Sequence, residues 1–261
     1  MSIRDEAVLR EFNLYPLWVR RDAPSLAVEV EVQVPSVQPV ARMEAPDIQL
    51  PIETNVPPSS LTEAKQVEPA PIQKTQVDAD WPELKKQVHG CTECKLRATC
   101  TQTVFGVGDE KAEWLFVGEG PGADEDVQGE PFVGQAGKLL DNMLAAIKLK
   151  RGRNVYIANV VKCRPPNNRT PEADEIVQCL PYLQRQVALI QPKIIVALGK
   201  TAACALLGHD ATLGSLRGTV HEYQGIPLII TYHPAYLLRS PSEKAKAWQD
   251  LCFAVSTHSA R

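Results

Sequence analysis

Four cysteines form two pairs, and their spacing limits how this chain can fold. Cys91 and Cys94 make a Cys-x2-Cys pair, and Cys163 and Cys179 follow after 68 intervening residues, with 15 residues between them. Four thiolates can hold one tetrahedral zinc ion or one iron–sulfur cluster. Because the pairs are far apart in the chain, a metal or cluster bound by all four would connect distant segments of one fold.

The composition of the chain changes near residue 80. The first 80 residues contain no glycine or cysteine, hold ten of the 21 prolines, and carry 7 basic against 13 acidic residues. The rest carries 21 basic against 18 acidic residues, which is weak evidence for a nucleic-acid partner. We predict a short amphipathic and aromatic segment at 1–21, a disordered proline-rich linker at 22–80, and one folded domain at 81–261.

Cysteine usage indicates the compartment. The chain has seven cysteines, an odd number, and its first residues lack the apolar core of a secretory signal. We also find no stretch long and apolar enough for a membrane span. We therefore expect a cytoplasmic protein without membrane attachment, in which cysteines are metal ligands more often than disulfide partners.

From residue 81 onward, apolar segments of strand length alternate with segments of helical periodicity. Strands are predicted at 114–117, 155–161, 194–198 and 228–232, and helices at 135–149, 170–190, 200–207 and 242–255. Residues 220–223 precede a Gln224-Gly225 turn and indicate a hairpin with the last strand. Thr170 would cap the second helix, and Pro181 would bend or interrupt it. This order predicts an α/β fold of three α/β/α layers around a central, mainly parallel four-stranded sheet.

The loops that follow the strands carry the unusual residues, and chemistry in such sheets lies beyond the carboxyl ends of the strands. The first loop, GEGPGA at 118–123, formally fits a dinucleotide fingerprint. However, Pro121 removes an N–H, and three acidic residues at 124–126 would repel a pyrophosphate. Gly199-Lys200-Thr201 is not a phosphate-binding loop either, since Ile194 replaces its first glycine. A loop of small residues does let its backbone approach a flat ligand closely.

Several motifs agree with one known family in order and spacing. They are the four-cysteine pattern, GEGPG at 118–122, EPFVGQAGKLLDNML at 130–144, NVVKCRPPNNRTP at 159–171 and HPAYLLR at 233–239. Together they resemble the family 4 (type 4) uracil-DNA glycosylases, bacterial and archaeal enzymes that carry a [4Fe–4S] cluster. The resemblance covers about residues 81–253. It implies the uracil-DNA glycosylase fold, uracil-containing DNA as substrate and hydrolysis of the N-glycosidic bond of deoxyuridine.

The resemblance also implies roles for individual residues. Phe132 would stack on uracil, and Gly118 and Gly120 would form a close backbone wall. Asn159 would read the base edge, because an amide can accept from uracil N3–H and donate to O4, whereas cytosine presents the reversed pattern. His233 would stabilise the departing uracil anion.

Two questions about the catalytic water and the metal remain open in the sequence. In the best-known family of this fold an aspartate activates the water, but Gly120 occupies that position here. Glu119 is therefore the first candidate for the base, and Asp124 is the second. Zinc is the generic interpretation of a Cys-x2-Cys pair, and only the resemblance favours a structural [4Fe–4S] cluster on Cys91, Cys94, Cys163 and Cys179.

The segment after His233 is expected to face DNA. Leu237 or Leu238 would wedge into the gap that a flipped nucleotide leaves. Nearby basic residues are candidate phosphate contacts: Arg164, Arg239, Arg169 and Lys162. Three cysteines are left over. The spacing of Cys100 does not match the family ligands, and Cys204 and Cys252 are expected to be packed core thiols.

The remaining predictions concern partners and alternatives. Residues 4–21 loosely resemble the N-terminal peptide of the psi subunit of bacterial replicative polymerase, which implies docking on a clamp loader or similar replication protein. We expect a monomer. The alternatives are a non-catalytic or trapping uracil-DNA binder and a zinc-stabilised replication adaptor. Some relatives trap DNA with a histidine in a basic loop, and residues 164–170 contain none.

Overall fold

A six-stranded β-sheet forms the centre of the protein. The computed structural model describes residues 79–260. Its strands are β1 (Val107–Gly108), β2 (Trp114–Gly118), β3 (Val155–Asn159), β4 (Ile194–Leu198), β5 (His221–Tyr223) and β6 (Ile226–Thr231), in the order β1-β3-β2-β4-β6-β5. The four central strands are parallel, as predicted, and β5 pairs with β6 in the expected hairpin. The count of four was too low, because β5 and the two-residue β1 add antiparallel edges.

Helices cover both faces of this sheet. They are α1 (Trp81–His89), α2 (Ala123–Gln128), α3 (Gln135–Ala146), α4 (Ala173–Ile190), α5 (Lys200–Leu207), α6 (Leu213–Leu216), α7 (Pro234–Arg239) and α8 (Lys244–Ser259). The prediction that Thr170 caps α4 was wrong. Glu172 is the N-cap, because the Glu175 carboxylate accepts from its backbone N–H. Pro181 does not interrupt α4, which continues through it to Ile190.

Strand β2 shows how the three layers are held together. Leu115 and Val117 belong to one buried apolar cluster, which also includes residues of α4 and α5. Trp114 and Phe116 belong to a second cluster, which includes residues of α3 and α8. Fully burying side chains of this size contributes about 1.5–3 kcal/mol each. Successive side chains of β2 therefore pack against helices on opposite faces of the sheet, which confirms the α/β/α prediction.

The parallel register brings the loops of interest to one edge of the sheet. Gly118 at the end of β2 is paired with Asn159 at the end of β3, and Leu198 at the end of β4 is paired with Thr231 of β6. From β2, the chain passes first to β3 on one side of β2 and then to β4 and β6 on its other side. The topological switch point therefore lies beside β2, where ligands bind in open α/β sheets.

The predictions for residues 1–78 lie outside the described residues. Ala79 and Asp80, which we assigned to the linker, already contact the folded domain. Ala79 is buried, and the Asp80 carboxylate caps α1 by accepting from the Glu83 N–H at 3.0 Å. Within residues 79–260, no helix combines the length and apolar character that crossing a membrane requires.

Candidate active site

A cavity of about 460 Å³ opens at the carboxyl edge of the sheet, a size typical of small-molecule sites. Seven of the predicted site residues line it: Glu119, Gly120, Phe132, Asn159, Arg169, His233 and Arg239. They come from the loops after β2, β3 and β6 and from the segment before α3. The fold therefore brings together most of the residues that the sequence motifs singled out.

Asn159 presents an unsatisfied acceptor in this cavity. Its side chain is 1% exposed, and its Oδ1 has no hydrogen-bond partner within residues 79–260. A buried polar atom without a partner is costly unless a ligand supplies one. The Lys162 ammonium fixes the backbone of Asn159 by donating to its carbonyl oxygen at 2.9 Å. Asn159 therefore combines a fixed backbone position with an unsatisfied side-chain acceptor that a ligand N–H would satisfy.

Phe132 forms an apolar wall of the cavity in an unusual backbone conformation. Its φ is +57°, a region that non-glycine residues rarely occupy. Arg151 holds this conformation by donating to the carbonyl oxygens of Pro131 at 2.8 Å and Phe132 at 2.7 Å. Helix α3 also packs tightly here, since a Cβ on Gly137 would lie 1.8 Å from the Phe132 oxygen. Strain of this kind persists only where the surroundings enforce it.

Gly118 does not line the cavity itself but supports two residues that do. A Cβ on Gly118 would lie 2.4 Å from Asn159 Oδ1 and 2.5 Å from the Phe132 ring. Even alanine at this position would displace one of the two side chains. Gly120, by contrast, lines the cavity, as predicted for a backbone wall.

His233 is held in one tautomer by the start of α7. It is the N-cap of this helix, and its Nδ1 accepts from the Ala235 N–H at 3.1 Å. In the neutral ring the proton must then be on Nε2, which becomes the donor. The pKa of His233 is lowered to about 4, mainly by burial and also by the charge of Arg239, whereas Glu125 opposes the shift. The Phe132 and His233 rings lie 5.5 Å apart, so the donor stands beside the apolar wall.

The three carboxylates near the cavity have different surroundings. Glu119 lines the cavity, and its side chain makes no hydrogen bond or ion pair with another described residue. Asp124 is exposed and is not among the lining residues. Glu125 joins two loops, because its oxygens accept from the N–H groups of Gly122, Val133 and Gly134. Of the three, Glu119 is the carboxylate with oxygens available to a water in the cavity.

The predicted DNA-facing residues separate into two groups. Leu237 is 1% exposed, so it belongs to the core and is not a surface wedge, whereas Leu238 is 44% exposed. Arg239 is exposed at the cavity mouth, and Arg164 donates to Asn168 Oδ1 at 2.8 Å. Helix α7 therefore offers Leu238 and Arg239 to a ligand outside the cavity.

Two of the proposed phosphate contacts have other roles. Lys162 was assigned wrongly, because it is 1% exposed and its Nζ donates to Asn159 O and, at 2.6 Å, to Gln186 Oε1. Burial lowers the pKa of Lys162 to about 8. Arg169 makes two hydrogen bonds to the buried Glu175 carboxylate, at 2.8 and 2.6 Å. Its charge is therefore neutralised by Glu175.

The four predicted cysteine ligands line a second, small cavity between α1 and α4. Cys163 and Cys179 are buried, and Cys91 and Cys94 are half-buried. The Lys162 N–H donates to Cys179 Sγ at 3.2 Å. Burial raises the pKa of Cys179 to about 11 and also raises that of Cys163, whose thiol contacts Cys100. A bound metal would be needed to hold such buried thiols as thiolates.

Four thiols around one cavity are a donor set that a zinc ion or an iron–sulfur cluster can use. Within residues 79–260, no group of three or more His, Cys, Asp or Glu side chains has the arrangement that binds one metal ion. A [4Fe–4S] cluster takes one thiolate on each of four irons, so its ligands stand further apart than those around zinc. The four thiols around this cavity supply the number and type of ligands that a cluster needs, and the Lys162 N–H already donates to one of the sulfurs. Of the remaining cysteines, Cys252 is exposed and Cys204 is half-buried, so the core prediction for Cys252 was wrong.

Sequence reasoning missed the residues that hold this site in shape. Arg151 and Glu125 bind backbone groups of another segment, and Lys162 joins the Asn159 carbonyl to the Gln186 side chain of α4. No side-chain motif reports such partners. For Glu125, the one available signal was a glutamate three residues after Gly122, the N-cap of α2.

The fold and the sequence are those of a uracil-DNA glycosylase. The profile of the Uracil DNA glycosylase superfamily matches residues 105–252. A type-4 uracil-DNA glycosylase of Archaeoglobus fulgidus is 47% identical over 61% of this chain and 83% of its own length. Those of Pyrobaculum aerophilum and Thermotoga maritima are each 43% identical, over 66% and 62% of this chain and 91% and 85% of their own lengths. The chain belongs to the type-4 uracil-DNA glycosylase family.

Proposed function

We propose that this protein hydrolyses the N-glycosidic bond of deoxyuridine in DNA, releases uracil and leaves an abasic site for base excision repair. The observation that carries this proposal is the pairing of Asn159 and His233 in one cavity. Asn159 offers an unsatisfied acceptor, and His233 offers a donor whose tautomer is already chosen. A uracil needs both, one at N3–H and one at O2.

Base recognition begins when a deoxyuridine leaves the base stack and enters the cavity. Its ring stacks on Phe132, and Asn159 accepts from N3–H through Oδ1 and donates to O4 through its amide nitrogen. Cytosine would present an acceptor to Oδ1 and a donor to the amide nitrogen. Such a mismatch costs about 1–3 kcal/mol. Lys162 holds the backbone of Asn159 in place by donating to its carbonyl oxygen, which keeps the amide at the base edge.

Bond cleavage leaves positive charge on the sugar and negative charge on uracil. The Nε2–H of His233 donates to O2 and stabilises that anion as it forms. A neutral ring suits this task, because a fixed dipole needs no proton transfer. Since Nδ1 is committed to the Ala235 N–H, the donor does not reorient during the reaction.

A water completes the reaction at the sugar, and Glu119 is the residue we propose to position it. We expect Glu119→Gln to lower the single-turnover rate about tenfold, because general-base assistance is secondary to leaving-group stabilisation here. Uracil release from a synthetic oligonucleotide measures this rate. Asp124→Asn is the matched control and should leave the rate unchanged. If Asp124→Asn lowers the rate and Glu119→Gln does not, Asp124 is the base.

We propose that Cys91, Cys94, Cys163 and Cys179 hold a [4Fe–4S] cluster. When bound, such a cluster supplies structural support rather than redox chemistry, because hydrolysis transfers no electrons. The protein residues around it explain its position. Cys163 lies four residues after Asn159, and Lys162 links that segment to Gln186 of α4. The cysteine site and the uracil-reading amide therefore share one loop.

The function is tested by measuring free uracil from full-length protein and uracil-containing single- and double-stranded DNA. We expect Asn159→Ala to lower kcat/KM about 100-fold, because it removes both contacts to the base edge. Its control is Asn154→Ala, away from the cavity, which should keep wild-type activity. If wild-type protein releases no uracil and leaves no alkali-labile site, the protein is a binder or adaptor instead.

Three further proposals depend on the sequence alone. Residues 4–21 bind a replication protein such as a clamp loader, the protein is a monomer, and it acts in the cytoplasm. A pull-down with the isolated segment tests the first. Loss of the captured replication protein with Trp18→Ala would support it, and equal capture by both would contradict it.

A further inference from the structure

Tyr236 is an exposed aromatic residue at the cavity that holds the proposed catalytic groups. It lies one turn after His233 in α7, where its N–H donates to the His233 carbonyl at 2.9 Å. Its side chain is 39% exposed and lines the same cavity as Phe132, Asn159 and His233. An aromatic ring at the rim of a cavity offers an apolar face on which a planar ligand can stack.

The Tyr236 ring is held in position by a stack of side chains. It stacks on Tyr232, with ring centroids 5.3 Å apart and planes inclined by 12°. The Arg217 guanidinium lies 4.5 Å from the centre of the Tyr232 ring. Tyr232 comes immediately before His233 in the chain, so the stack and the catalytic residue share one segment. One face of the Tyr236 ring is therefore packed against Tyr232.

Arg217 anchors the stack to the body of the domain. It donates from Nε to Asp250 Oδ2 at 2.7 Å and from Nη2 to Asp250 Oδ1 at 2.9 Å, and also to the Lys246 carbonyl. The side chains of Arg217 and Asp250 are 13% and 4% exposed. A buried bidentate pair of this kind fixes the guanidinium plane. Tyr236 is thus pre-organised although it is exposed.

From this geometry we propose that Tyr236 is a stacking site for the nucleobase next to the flipped deoxyuridine. This inference rests on the proposed function. When a nucleotide leaves the stack, its neighbour loses a stacking partner at the mouth of the cavity. A supported tyrosine ring can replace that partner for any base, because every base has an aromatic face.

Tyr236 and Leu238 would then act on different forms of DNA. Residues two positions apart on a helix do not share a face, and Leu238 is not among the residues that line the cavity. Leu238 suits the gap in a duplex, where paired neighbours remain stacked. Tyr236 suits a single strand, where the neighbour has no complementary base to hold it.

Uracil release by full-length variants on matched single- and double-stranded substrates tests this division. We expect Tyr236→Ala to lower kcat/KM about tenfold on single strands and much less on duplex, and Leu238→Ala to show the opposite preference. Tyr236→Phe should retain activity, because the ring and not the hydroxyl makes the contact. Trp248→Ala is the control, since Trp248 is similarly exposed on α8 and lies outside the cavity lining.

A binding measurement separates stacking from a structural effect. The probe is a single strand that carries hydrolysis-resistant 2′-fluoro-deoxyuridine with fluorescent 2-aminopurine on its 5′ or 3′ side. Stacking on Tyr236 should quench one of these probes in wild type and in Tyr236→Phe, but not in Tyr236→Ala. Suppose that wild type releases uracil, and that Tyr236→Ala has the same kcat/KM on both substrates and the same 2-aminopurine quenching. The stacking inference is then wrong, and the proposed function still holds. If wild type releases no uracil, the proposed function fails first.

Discussion

Replacing His233 by alanine should lower the single-turnover rate of uracil release by about 100- to 1000-fold. That is the typical loss when one pre-organised donor to a developing anion is removed. The substitution also removes the N-cap of α7, which costs about 1 kcal/mol. His233→Asn keeps an acceptor at the N-cap, but its shorter amide does not extend to the position of Nε2. Both variants should therefore lose activity, and His233→Asn should lose less stability. A rate within tenfold of wild type in either would place the donor elsewhere.

The charge state of His233 gives an independent test of the same assignment. Its pKa is lowered from 6.5 to about 4, mainly by burial, so the folded protein keeps a neutral ring throughout pH 5–8. Between pH 6.5 and 4 the unfolded chain binds a proton at this site that the folded chain does not. Its contribution to stability therefore falls as the pH decreases through that window and is fully present above it. An NMR titration, assigned by comparison with His233→Ala, should show the neutral ring with its proton on Nε2 at pH 6. A ring that is charged at pH 6 would contradict this mechanism.

Replacing Cys163 by alanine should remove the bound iron and sulfide and lower the melting temperature by about 10 °C or more. Cys163 is buried beside Lys162 and connects the cysteine cavity to the Asn159 loop. Structural metal sites contribute free energy comparable with the whole stability of a domain, and each kcal/mol corresponds to about 2–4 °C at this size. Metal and sulfide analysis together with thermal unfolding of the purified protein measures both effects. Zinc without sulfide in the wild type would contradict the cluster.

The other cysteines provide the matched controls for this prediction. Cys252→Ala alters an exposed thiol far from the cavity and should change neither iron content nor melting temperature. Cys100→Ala tests the ligand assignment more closely, because its thiol contacts Cys163 without belonging to the predicted set. We expect Cys100→Ala to keep its full iron content. If Cys100→Ala loses its iron and Cys163→Ala keeps it, Cys100 is the ligand and Cys163 is not.

Much of the fold followed from local patterns. Apolar runs of strand length predicted the four parallel strands, and α5 was predicted at the bounds it has, Lys200–Leu207. Errors arose where a contact that the pattern did not reveal overrides the preference of a single residue. Thr170 is a good N-cap by itself, but Glu175 satisfies the N–H of Glu172, so α4 begins later. Strand β1 has two residues and no periodicity to detect, and only its pairing with β3 defines it.

For the candidate site too, the sequence predicted one part and the tertiary structure decided the rest. The spacing of the four cysteines by itself indicated a metal or cluster site, and the motifs that resemble the type-4 family singled out Asn159, His233, Phe132 and Glu119. The three-dimensional packing decided which groups are accessible and which state they are in. It buried Leu237 and Lys162, exposed Leu238 and Tyr236, and directed Nδ1 of His233 to a backbone N–H. Burial and hydrogen bonding depend on neighbours from other segments, and a one-dimensional pattern of residue types does not contain those neighbours.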